Sequence, residues 1–141
     1  KNGIPVMVHL GLQPQKFSSS NKYKIYGRGK FDLINILKDA KLLEEAGAIS
    51  ILLEGVISHV ARQVTNNVSI PTIGIGASKY CDGQILVTDD MLGLSGFYPK
   101  FVKKYVNLNR IIEKAVKKYT RDVKLKKFPT INNFLNGTKR R

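Results

Sequence analysis

Three short apolar runs, PVMVHL at 5–10, AISILLE at 48–54 and TIGIG at 72–76, are separated by segments of helical periodicity. A strand that reads apolar on both faces must be covered on both, which is the habit of a parallel sheet. Between the first two runs, Leu33, Ile36, Leu37, Ala40 and Leu43 recur at helical spacing. Asp32 reads as the N-cap of that helix and Gly47 as its stop. Between the second and third runs, Val60, Ala61, Val64 and Val68 share one side of a helix that Ser58 would cap. A loop with Cys81, Asp82 and Gly83 leads into QILVTD at 84–89, read as a fourth strand. The remainder reads as helical. Ile112, Ala115 or Val116, Tyr119 and Val123 form an apolar stripe opposite Lys114, Lys117, Lys118, Arg121 and Lys124, a solvated basic face. The polar stretch 13–30 reads as a long loop, and NGTKRR at the end as a frayed tail.

Buried strands alternating with amphipathic helices imply parallel pairing through right-handed crossovers. A dinucleotide-binding half-fold shares that pattern, but GIGASK at 74–79 places Lys79 where the third glycine of its phosphate loop belongs. The glycines lie inside an apolar run, where they let another group approach the backbone closely. The expected fold is therefore α/β: four strands, half of an eight-stranded (β/α)8 barrel, forming one partial domain over 1–141. Lys1 is not an initiator Met and only four residues precede the first apolar run, so a further segment is expected upstream.

Composition narrows the partners. The net charge is +14, which fits a nucleic-acid binder. Yet Lys outnumbers Arg 18 to 6, Asn and Ile are also plentiful, and no aromatics are interleaved for base stacking. Codon drift in an AT-rich genome accounts for that bias first, steering of small anions second and nucleic acid last. No apolar run approaches the roughly 18 residues of a membrane span, and no signal peptide is read at the N-terminus. Cys81 is the single cysteine and reads as a small packing side chain in a reducing, cytoplasmic setting.

In a parallel barrel, reacting groups sit where strands end and the βα loops converge. The first strand delivers His9 to that rim, and the second delivers Glu54. A rim carboxylate backed by apolar walls makes a stronger base. The bland readings are a histidine satisfied in the barrel wall and a carboxylate held in a hydrogen bond. Asp89 and Asp90 are adjacent, and adjacent strand residues point to opposite faces, so helix capping suits them better than a shared metal. His59 reads as a surface residue.

Several blocks resemble the ketopantoate hydroxymethyltransferase family. VMVHLGLQPQ at 6–15 is similar to its HLGLTPQ stretch, and YKIYGRG at 23–29 to its Gly-Arg loop. DAKLLEEAGAISILLEGV at 39–56 resembles the segment carrying the family's catalytic glutamate. IPTIGIGA at 70–77, CDGQILVTDDMLGL at 81–94 and PKFVKKY at 99–105 follow in the family's order. Val8, Gln13, Tyr26 and Gly55 depart from it, standing where Gly, Thr, Gln and often Cys are usual.

The resemblance implies the C-terminal half of a TIM barrel, strands five to eight with C-terminal helices. It implies transfer of a hydroxymethyl group from 5,10-methylenetetrahydrofolate to 3-methyl-2-oxobutanoate, giving 2-dehydropantoate on the route to pantothenate. Glu54 aligns with the general base, and His9 with a histidine of the substrate-binding wall. Magnesium would chelate the keto acid, with its ligands in the N-terminal half, so no metal ligand is assigned here. The expected partners are small-molecule substrates and the missing N-terminal half or full-length subunits, in a family that forms decamers. Nucleic acid and membrane are not expected. The competing reading is an inactive remnant acting as an interaction module.

Overall fold

The computed structural model describes residues 3–13 and 25–134. Most of the polar loop, 14–24, and the NGTKRR tail lie outside the described residues. The chain divides into two compact units, Lys1–Leu86 and Val87–Arg141.

The first unit alternates strands and helices. Strand β1 is Met7–Gly11, helix α1 Lys30–Glu45, strand β2 Ser50–Glu54 and helix α2 Ser58–Asn67. Strand β3, Thr72–Ile75, and the short strand β4, Gly83–Gln84, follow. The sheet is wholly parallel, in the order β1-β2-β3-β4. His9 pairs with Leu52, Gly11 with Glu54, and Glu54 in turn with Ile75.

This register sorts the side chains. Val8, Leu10, Ile51, Leu53 and Thr72 share one face, and α1 and α2 cover it. Ile36 and Ala40 from α1, with Val60, Ala61 and Val64 from α2, close the core, and Ile51 and Leu53 are fully buried. Met7, His9, Ser50, Leu52, Glu54, Ile73 and Ile75 share the other face. Among the described residues, two buried side-chain polar atoms have no hydrogen-bond partner, His9 Nε2 and Ser50 Oγ. Both lie on this second face. Buried polar groups are nearly always paired, so their concentration there marks the face as incomplete.

The local chemistry differs from the sequence reading in several places. Gly29, not Asp32, is the N-cap of α1, and Asp32 lies in the first turn. There its charge complements the helix dipole rather than bonding a terminal N–H. Gly47 does end the turn after α1: its φ is +94° and its N–H donates to the Glu44 carbonyl. Ile57, not Ser58, caps α2. The Ser58 hydroxyl is engaged instead with Ser78 Oγ at 3.1 Å. Cys81, in the loop before β4 as expected, is buried in the core cluster.

The fourth strand is much shorter than 84–89. Its ladder ends when the Ile85 N–H donates to the Gly74 carbonyl, and Ile85 and Val87 are exposed. Apolar side chains alone do not extend a strand with no further neighbour to bury them. The glycine at 74 admits close neighbours, as expected. They are Cys81 Sγ and the Gln84 side chain, 3.2 and 3.1 Å from where a β-carbon would sit.

The second unit contains helix α3, Thr88–Leu92, and helix α4, Leu108–Lys124. Val87 occupies the N-cap of α3, and Asp89 and Asp90 fall in its first turn without capping it. Asp90 accepts instead from the Ser95 hydroxyl. The Asn107 side chain caps α4, accepting from the Arg110 N–H at 3.1 Å. The apolar stripe of α4 exists as expected, but Ile112, Val116, Tyr119 and Val123 remain exposed. Among the described residues no helix is long and apolar enough to cross a membrane.

Candidate active site

Glu54 and His9 converge at the carboxyl-terminal ends of adjacent strands. Leu52 and Glu54 are two residues apart and so share a face, and His9 lies beside Leu52 on the same face. His9 is therefore the diagonal neighbour of Glu54. Its Nε2 lies 3.3 Å from Glu54 Oε2, with 24% of the histidine side chain and 13% of the glutamate side chain exposed. The approach is close enough for electrostatic attraction. It lacks the alignment of a hydrogen bond, so the buried Nε2 is left without a partner. A ring nitrogen left unbonded beside a carboxylate can bond a third group that approaches it.

The backbone around Glu54 is fixed on two sides. Its carbonyl accepts from the Leu12 N–H at 2.8 Å. Just beyond the strand, Gly55 O accepts from the Tyr26 N–H at 2.8 Å, and the Ile57 N–H donates to the Tyr26 carbonyl at 3.0 Å. Tyr26 thus bridges to Val56 and ties the return of the polar loop to the rim. Gly11 stands laterally opposite Glu54. A β-carbon there would lie 2.2 Å from the Glu54 carbonyl oxygen and 2.6 Å from Val56 Cγ2, and φ is +90°. No side chain can occupy that position, so β1 lies close against the Glu54 backbone there. The other flank is Ile75, which is buried.

Both residues singled out from sequence, His9 and Glu54, are thus together. Gln13 and Tyr26, departures from the family pattern at the rim, border the site, whereas Gly11 escaped as a site-shaping residue. Gln13 Nε2 donates to the His9 carbonyl at 3.0 Å, a contact no spacing rule signals. Gly11 could have been found, since glycine at the tip of an apolar strand marks close approach. Among the described residues no group of three or more His, Cys, Asp or Glu side chains could hold a metal ion. One carboxylate and one imidazole at this rim do not suffice for magnesium, which favours oxygen ligands in an octahedron.

The ketopantoate hydroxymethyltransferase family model matches residues 1–131. Relatives named 3-methyl-2-oxobutanoate hydroxymethyltransferase are closely similar. That of Sulfurisphaera tokodaii is 54% identical over 127 residues, which is 90% of this chain and 48% of the relative. That of Clostridium kluyveri is 55% identical over 130 residues, 92% of this chain and 46% of the relative. That of Pseudothermotoga lettingae is 51% identical over 134 residues, 94% of this chain and 51% of the relative. The chain spans about half the length of the curated relatives it matches. With the family model covering most of its residues, the chain belongs to the ketopantoate hydroxymethyltransferase family.

Proposed function

We propose that this chain supplies the general-base side of a hydroxymethyltransferase active site and acts together with the remainder of the barrel. The substrate is 3-methyl-2-oxobutanoate and the one-carbon donor 5,10-methylenetetrahydrofolate. Glu54 takes the proton from C3, next to the keto carbonyl, leaving an enolate. Water hydrolyses the donor's methylene bridge, breaking both C–N bonds and giving formaldehyde and tetrahydrofolate. The C3 enolate adds to the formaldehyde carbon, and the alkoxide formed takes up a proton to give 2-dehydropantoate. His9 Nε2, beside the carboxylate and unbonded, orients the keto acid for the proton transfer.

The observation that carries this reading is the convergence of His9 and Glu54 at the mouth of a parallel sheet, on its incomplete face. Parallel α/β barrels perform their chemistry at that end. The strand holds the carboxylate rigidly, and rigid elements position reacting groups better than loops do. The names of the relatives supply the reaction class. Bound magnesium would polarise the keto acid and stabilise the enolate. Its ligands are assigned to the half this chain lacks, so no residue here receives that role. The same reading makes the chain strands five to eight of a TIM barrel in a cytoplasmic homo-oligomer.

The test is hydrogen exchange at C3 of the keto acid, followed by NMR in deuterated water, with the chain joined to the missing half. Glu54→Gln should reduce exchange by at least about 10²-fold, the lower end for a general base, while keto-acid binding persists. Unchanged exchange removes the assignment. A joined protein with no exchange even before substitution favours the inactive remnant.

A further inference from the structure

The loop that leaves β3 is pinned to the start of α2. Ser78 is buried, and its hydroxyl lies 3.1 Å from the Ser58 hydroxyl and accepts from the Tyr80 N–H at 3.3 Å. The Ser78 carbonyl accepts from Gln84 Nε2 at 2.7 Å and from the Cys81 N–H at 3.3 Å. These bonds fix the turn at 78–81. Arg62 lies four residues after Ser58, on the same side of α2. Seating Ser78 on Ser58 therefore brings Tyr80 against Arg62. The Arg62 guanidinium carbon lies 4.4 Å from the Tyr80 ring centroid, and Lys79 Nζ lies 5.2 Å from the same centroid. Among the described residues neither cation has a carboxylate partner. Asp82, the acidic residue of this loop, is turned onto the Thr72 N–H and hydroxyl instead. The ring attracts both cations, but their mutual repulsion is left for an anion to relieve.

The cluster stands on the same lip as Glu54. Strand β3 ends at Ile75, the ladder partner of Glu54, and the loop begins at residue 76. Glu54 belongs to the sheet face away from the helices, whereas Arg62 belongs to the helix layer. A ligand whose reacting end lies beside Glu54 reaches the cluster by crossing the lip outward.

We infer that Arg62 and Lys79, held over the Tyr80 ring, form a polycarboxylate subsite that takes the glutamyl tail of the folate donor. The inference rests on the functional reading above and adds where the donor's non-reacting end is anchored. That tail ends in a glutamate with an α- and a γ-carboxylate, and each further γ-linked glutamate adds one more. A guanidinium presents a fork of donors that matches a carboxylate, and an ammonium supplies a second, compact charge. The keto acid is short and must lie at Glu54 itself, so the outer position suits the longer co-substrate. Binding made away from the reacting carbon lowers KM for the donor. Tyr80 is a positioning residue, since it holds the two cations together without meeting the tail's charge.

The test has a binding arm and a kinetic arm. In the first, tri-γ-glutamate is titrated into the 141-residue chain and followed by amide NMR. The expected result is a saturable shift of the Arg62, Lys79 and Tyr80 amides that the double variant Arg62→Ala with Lys79→Ala loses. Inorganic phosphate at equal ionic strength should shift them far less, and an equal response overturns the assignment to a carboxylate tail. In the second arm, the chain is joined to the missing half and hydroxymethyl transfer is measured with monoglutamyl and triglutamyl donors. The triglutamyl KM should be about fivefold lower, the scale of two exposed ion pairs, and the ratio should shrink as salt rises. Arg62→Ala with Lys79→Ala should make the two KM values equal. Lys30→Ala with Lys38→Ala removes as much charge from exposed positions of α1 and should preserve the ratio. Loss of the ratio in both double variants, or in neither, overturns the inference. Tyr80→Phe should keep the preference and Tyr80→Leu reduce it. Should a variant fail to fold, the shifts of the unaltered chain decide. Proton exchange at C3 of the keto acid, which needs no donor, keeps the two readings apart. Glu54-dependent exchange in a protein indifferent to tail length removes the subsite and retains the base. Tail binding at Arg62 and Lys79 without Glu54-dependent exchange does the reverse.

Discussion

Gly11 and Glu54 face each other across the β1–β2 ladder so closely that a β-carbon on residue 11 would lie 2.2 Å from the Glu54 carbonyl oxygen. The obstacle is backbone, which cannot swing aside, and φ at residue 11 is +90°. Gly11→Ala should therefore displace Glu54. The expected cost is about 1–3 kcal/mol from the strained dihedral alone, read as a lowered denaturant midpoint. In the joined protein, keto-acid proton exchange should fall further than stability explains, because a displacement of about 1 Å can cost about 10²-fold in rate.

His9→Ala tests positioning. The side chain lies on the face away from the core, so the denaturation midpoint should hold nearly constant. Proton exchange in the joined protein should drop about 10²-fold. His9→Gln, which keeps a hydrogen-bonding group in reach, should recover part of it. Equal losses for both variants would assign the effect to the ring itself rather than to its hydrogen bond.

Asp82 supports β3 from below. Its Oδ2 accepts from the Thr72 N–H at 2.8 Å and the Thr72 hydroxyl at 2.9 Å. The Thr72 backbone bond first, and then the hydroxyl, hold the carboxyl below its ordinary range. A carboxylate with a lowered folded-state pKa adds stability that is complete above its unfolded value and lost as pH falls through the folded one. Asp82→Asn should therefore destabilise the unit by about 1 kcal/mol at neutral pH. Chemical denaturation across pH should show the difference from the parent shrinking below the usual aspartate range.

Leu53 is fully buried between the sheet and its two helices. Leu53→Ala should cost about 2–5 kcal/mol. Glu54 is the next residue in the strand and should keep its backbone bond from Leu12. Urea denaturation gives the first quantity, and protection of the Leu12 amide at low denaturant gives the second.

The strands and helices of the first unit were legible because their apolar residues repeat with clear periods, and because Gly47 stops α1 by backbone geometry. The fourth strand was overextended, since side-chain apolarity at 85–87 carries no information about whether a further strand lies alongside. Capping by Asp32 and Ser58 failed for a related reason. Each is a suitable residue near a helix start, but Ser58 is drawn away by Ser78 and Asp32 lies inside the first turn. His9 and Glu54 were readable as a pair because both close apolar runs, and parallel strands bring such ends to one rim. Gly11 was not, and Gln13 and Tyr26 were placed at the rim only through the family resemblance. Their contacts are made with backbone groups of other strands and loops, which no local pattern specifies.

The two-rung β4 also bears on how the isolated molecule ages in a test tube. Fibrils and open-ended sheets lengthen only when every unit presents adhesive margins left and right. One margin here is blunt. Concentrated samples are expected to stall at pairs or small clusters instead of threading into filaments, and analytical ultracentrifugation with a cross-β dye would distinguish the outcomes.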